Sequence, residues 1–127
     1  MLEVDVVGEP PLLLASAEVV RLADLAAASA GIHDGHLALQ FVDAAAIAAL
    51  NLEYRGKAEA TDVLSFPIDG DTPVTAGPRE LGDVVICPEH TADIREAVVH
   101  GVLHLVGMDH EADAGEMLAL QAELLSW

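Results

Sequence analysis

Residues 82–110 read GDVVICPEHTADIREAVVHGVLHLVGMDH. The first part, GDVVICP (82–88), is a continuous apolar run rich in β-branched residues, the pattern of a buried strand. Pro88 suits the first turn of a following helix. The pattern carries that helix to about Val106, the stretch 92–106 bearing a candidate functional site, and Gly107 stops it. Ile94, Val98, Val102 and Leu105 form one apolar stripe, and Val99, Leu103 and Val106 cover the opposite side. A helix apolar nearly all round is a buried helix.

On the N-terminal side, Val4, Val6 and Val7 read as a short strand that Pro10 and Pro11 interrupt. Ser16 is the expected N-cap of a helix from Ala17 to Ala30, ended by Gly31. His36 to Val42 alternates Leu37, Leu39 and Phe41 on one face, as a strand does. Asp43 caps an Ala-rich helix that runs to about Tyr54. Arg55 to Thr61 reads as loop. Val63, Leu64 and Phe66 read as a strand stopped by Pro67, and residues 69–80 as a polar, turn-rich excursion. On the C-terminal side Glu116 to Leu125 is a last helix with a broad apolar side. The order is β-α-β-α-β-β-α-α. It predicts an α/β (α+β) fold in a single domain over 1–127, one mixed four-stranded sheet packed with about four helices.

The chain has 127 residues, of which 53% are hydrophobic and only 3% aromatic, with 22 alanines. A core of Leu, Val, Ile and Ala follows, and binding by aromatic stacking is excluded as the main device. Five basic residues against 22 acidic ones give a net charge of −17. Five cations cannot build a long basic face for duplex nucleic acid or a patch for acidic lipid. No DNA and no membrane partner is expected. Cys87 is the one cysteine, so an intrachain disulfide is excluded. No apolar run reaches the ~18 residues of a membrane span. The acidic start MLEVDVVGEP lacks the basic opening of a signal peptide, and a cytoplasmic location is the expectation.

His100 and His104 are four apart, which on a helix puts them on one face about 40° from each other. Gly107 permits a left-handed turn, after which His110 can reach the same point. A lone helical histidine is more often a satisfied core residue. Three, with a helix-stopping glycine among them, point to a metal. Three neutral imidazoles at ~2.0–2.1 Å leave the fourth tetrahedral position open, the pattern of a catalytic zinc site. The spacing equals that of zinc peptidases with H-E-x-x-H-x-x-G-x-x-H, whose general base follows the first histidine. Here that position is Gly101, so the peptidase reading lacks its proton acceptor.

HGVLHLVGMDH (100–110) resembles the H-G-x-L-H-L-x-G-x-D-H signature of the YbeY family of bacterial metal-dependent endoribonucleases. NLEYRGKAEATDVLSFP (51–67) resembles that family's block around its arginine and T-D-V-L-S-F. LGDVVICPE (81–89) resembles its L-G-D strand, and GEMLALQAELL (115–125) its last helix. The resemblance implies an α/β fold and one zinc-type ion per chain, held by His100, His104 and His110. It also implies single-strand RNA cleavage in ribosomal RNA maturation, notably at the small-subunit 3′ end, and a part in ribosome quality control. The family's functional arginine carries over to Arg55. The chain departs from the family in two ways: HTADIREAVV (90–99) is shorter than the usual stretch before the first histidine, and the net charge is −17.

Arg55, with Lys57 beside it, could grip the scissile phosphate or be a solvated helix-end arginine favoured by the dipole. Asp109 could orient a histidine from behind or be a loop residue. Asp62 and Ser65 could line a cleft or bond nearby backbone. Cys87 reads as a small buried hydrophobe, and His33, His36 and His90 as surface or turn residues. No general base is identified; the nucleophile could be water or the 2′-hydroxyl. A second reading is a ribosome-assembly factor with a structural metal and weak nuclease activity, recruited by a basic ribosomal protein. A zinc peptidase comes third.

Overall fold

Apolar residues, alternating in β1 and β2 and continuous in β4, build the strands, and the chain passes in order through β1 (Leu2–Val7), α1 (Ser16–Ser29), β2 (Gly35–Phe41), α2 (Ala44–Arg55), β3 (Val63–Pro67), β4 (Glu80–Ile86), a 3-10 turn at Pro88–His90, α3 (Ile94–Leu105) and α4 (Glu116–Leu125). The structure is a computed structural model and describes residues 2–8, 15–57, 59–68, 80–107 and 115–126. The expected order of strands and helices is found. The sheet runs β1-β2-β4-β3. β1 is parallel to β2 and β2 to β4, while β3 is antiparallel to β4. This is the mixed four-stranded sheet with four helices that the pattern predicts. The expected excursion at 69–80 lies outside the described residues except for Glu80, which opens β4.

Side chains alternate across β4 and divide the interior in two. Val84 and Ile86 join the larger core with Leu22 and Ala26 of α1, Leu37 and Leu39 of β2, Val98, Val102 and Leu103 of α3, and Met117 and Leu124 of α4. Val85 and Cys87 join a smaller core with Ile47 of α2 and Leu64 of β3. Cys87 is fully buried and unpaired, as expected of a small hydrophobe. Among the described residues no helix is long and apolar enough to cross a membrane.

Two boundaries differ from the sequence reading. Ser16 is the first residue of α1 rather than its cap; Ala15 holds the cap position and gives no side-chain bond. The helix expected to begin near Pro88 instead begins at Ile94. Pro88 opens only a 3-10 turn, because the Thr91 hydroxyl donates to the Cys87 carbonyl at 2.7 Å and both Thr91 and Asp93 are extended. Asp93 then caps α3, its carboxylate accepting from the Glu96 amide at 3.2 Å. A side-chain cap outweighs the proline signal. Asp43 caps α2 as expected, accepting from Ala46 N at 2.8 Å. Gly107, at φ +96°, ends α3 as expected.

Candidate metal centre

α3 lies against the sheet at Gly101. A Cβ there would stand 2.4 Å from Val84 Cγ1 and 3.2 Å from Val63 Cγ2. Only glycine permits this close approach of helix to sheet. The Ser65 hydroxyl of β3 donates to the Gly101 carbonyl at 2.9 Å and ties the helix down at the same point. Of the two roles open to Ser65, it takes the backbone bond. A glutamate at 101, as in zinc peptidases, has no room.

With that face on the sheet, His100 and His104 stay half-buried on another. Their Nε2 atoms are 3.2 Å apart, and the rings meet edge-on at a centroid distance of 4.7 Å. Two nitrogens bound tetrahedrally at ~2.0–2.1 Å to one zinc would stand roughly 3.3 Å apart. The observed separation therefore fits two ligands of one ion. Nδ1 of His100 lies 2.8 Å from Oε1 of Gln121, which α4 buries to 7% exposure. The other two expected residues of the site, His110 and Asp109, lie outside the described residues. Among the described residues no group of three or more His, Cys, Asp or Glu side chains converges to hold a metal.

A cleft of about 160 Å³ opens beside His100, lined also by Asp62, Val63, Thr91, Ala92, Asp93, Glu96 and Ala97. Asp62 thus reaches the cleft, and it also accepts from the Val63 amide at 2.8 Å. Arg55 does not line this cleft. It is exposed in the last turn of α2, and Lys57 is exposed just beyond it. The loop that follows Arg55 is anchored by Asn51, buried to 2% exposure, whose Nδ2 donates to the Glu59 carbonyl at 2.9 Å. The structure thus brings His100 and His104 together and leaves Arg55 outside the cleft wall.

Sequence reasoning missed Gln121 and Asn51. For Gln121 a signal existed: Met117, Gln121 and Leu124 fall at i, i+4 and i+7, one stripe of α4, and these three are its buried residues. A polar residue in an apolar stripe needs a partner. The sequence reads His36 as a surface or turn residue. It sits on β2 between two carboxylates, Nε2 2.7 Å from Asp5 Oδ2 and Nδ1 2.6 Å from Glu80 Oε2. His33 and His90 are exposed, as expected.

The family model described as "Endoribonuclease YbeY" matches residues 14–127. A Corynebacterium glutamicum protein named endoribonuclease YbeY is 39% identical over 114 residues, covering 73% of this chain and 58% of the relative. The chain thus spans less than two thirds of that protein's length. A Mycolicibacterium gilvum protein of the same name is 37% identical over 139 residues, covering 94% of this chain and 75% of the relative. That alignment is longer than this whole chain, so the relative carries residues within it that this chain lacks. The solution structure of a Thermotoga maritima protein is similar with a TM-score of 0.58 at 25% identity, covering 97% of this chain and 87% of that one.

Proposed function

The chain belongs to the YbeY family, and from that premise we propose that it is a metal-dependent endoribonuclease specific for single-stranded RNA, acting in maturation of the small-subunit ribosomal RNA 3′ end and in ribosome quality control. The observation that carries the reading is the pair of Nε2 atoms 3.2 Å apart on α3, within the signature that also contains Gly107 and His110. His100, His104 and His110 hold one zinc-type ion. Such an ion supplies Lewis acidity and makes water a usable nucleophile near neutral pH.

The chain's own residues do the rest. α3 holds the two imidazoles on a helix that Gly101 and Ser65 lock against the sheet, so the ligands are positioned before substrate arrives. The cleft beside His100 admits a polar group next to that centre. Arg55, exposed at the end of α2, contacts a phosphate of the strand through charge-assisted hydrogen bonds. Cleavage of a single-stranded RNA by the purified chain, with its metal content measured alongside, tests the reading.

The net charge favours a second reading, an assembly factor that meets the ribosome through a basic ribosomal protein. Arg21 and Arg95 both engage Glu18, with Arg21 Nε at 2.9 Å and Arg95 at 3.5 Å. Among the described residues that leaves Arg55 and Lys57 to meet phosphates. Metal-loaded protein that binds ribosomal protein and cuts no RNA would favour this reading.

A further inference from the structure

The Gln121 side chain is a buried amide in the apolar stripe of α4. A buried amide costs free energy unless its polar atoms are bonded, and its Oε1 lies 2.8 Å from His100 Nδ1. An amide oxygen has only lone pairs to offer, so the proton in this bond belongs to the imidazole. Nδ1–H of His100 therefore donates to Gln121. In a neutral ring the other nitrogen, Nε2, is then bare. That is the atom facing His104 Nε2 at 3.2 Å. In water a neutral histidine side chain prefers its proton on Nε2, where it would block a metal. Gln121 reverses this preference, and it fixes the ring plane as well.

We propose that Gln121 is a positioning residue: from α4 it holds the His100 imidazole in the Nδ1–H form and aims its Nε2 lone pair at a divalent metal shared with His104. The proposal rests on the metal reading above. It also gives α4 a purpose beyond packing. The helix that closes the larger core through Met117 and Leu124 carries between them the side chain that sets the electronic state of a ligand on α3. Bonds of this kind, from the far side of a ligating histidine, are worth 10–100-fold in metal affinity.

The test combines two readouts. Long-range proton–nitrogen NMR on metal-free protein reads which ring nitrogen of His100 carries the proton. Its resonances are assigned by their loss in His100→Asn. The expected result is Nδ1 protonated and Nε2 bare in the unsubstituted protein. Competition with a chromophoric chelator then gives zinc affinity. Gln121→Leu should weaken zinc binding by ~10–100-fold, with a shift of the His100 proton towards Nε2. Gln121→Glu keeps an acceptor and should stay close to the unsubstituted protein in both readouts. A His100 proton found on Nε2 in the unsubstituted protein overturns the proposal without any variant, even if Gln121→Leu fails to fold. Undiminished zinc affinity in a folded Gln121→Leu protein overturns it too, while leaving the metal reading intact. Unsubstituted protein that binds no zinc at all removes both.

Discussion

Arg55 stands at an exposed helix end, and its last-turn position is itself favourable for a cation. A kinetic measurement separates a phosphate contact from a solvated side chain. Losing a charge-assisted contact costs ~1.5–3 kcal/mol, and ~1.4 kcal/mol is already a factor of ten in rate. Arg55→Ala should keep fold and metal content and lower single-strand RNA cleavage at least tenfold; equal rates would return Arg55 to the solvent-exposed surface. Gly101 makes the opposite kind of prediction, one about stability. Alanine is the better helix former by about 1 kcal/mol, yet its Cβ would meet Val84 Cγ1 at 2.4 Å, and Val84 is fully buried. Overpacking a core costs typically ~1–3 kcal/mol. Gly101→Ala should therefore be destabilised by up to about 2 kcal/mol net in denaturant titration, and a gain in stability would show that α3 can back away from the sheet. The legible part of the site was the i, i+4 histidine pair, because one helix supplies both residues and its period is known in advance. Gln121 was not legible, since its partner lies 21 positions away on another helix and only the fold brings them together.

At the scale of elements, strand and helix order could be read because hydrophobic periodicity differs between them: Leu37 and Leu39 of β2 are both fully buried at a spacing of two. The start of α3 could not, because Pro88 and Asp93 both resemble helix starts and the hydroxyl of Thr91 decides between them. The same limitation hid His36, which ties together three neighbouring strands through Asp5 on β1 and Glu80 on β4. Pairing is visible only when β1, β2 and β4 lie side by side. Hydrogen bonds to Asp5, and then to Glu80, raise the imidazole above its ordinary value. A raised value in the folded state means that the bridge stabilises fully below the unfolded value of about 6.5 and fades as pH rises through the folded one. The stability difference between the unsubstituted protein and His36→Gln should therefore be larger at pH 6 than at pH 9 in denaturant melts. A difference that is constant or grows with pH would mean that the bridge carries no proton-linked stability.

The whole molecule joins a larger core, in which α3 packs against β3, β4, α1 and α4, to a net charge of −17. Affinity for a strand of RNA grows with the phosphates neutralised, and Arg21 and Arg95 are already engaged by Glu18. Binding energy for bare RNA must then come from few contacts, and in the proposed function the metal held beside the cleft would be the main local positive charge. Activity should accordingly depend on that centre almost entirely. The decisive measurement is cleavage of a single-stranded RNA by the purified chain as isolated, after chelation, and after zinc is restored, with metal counted at each stage. The expected result is one metal per chain, cleavage lost on chelation and recovered with zinc. Undiminished cleavage by metal-free protein, or a fully zinc-loaded protein that leaves the single strand intact, would contradict it.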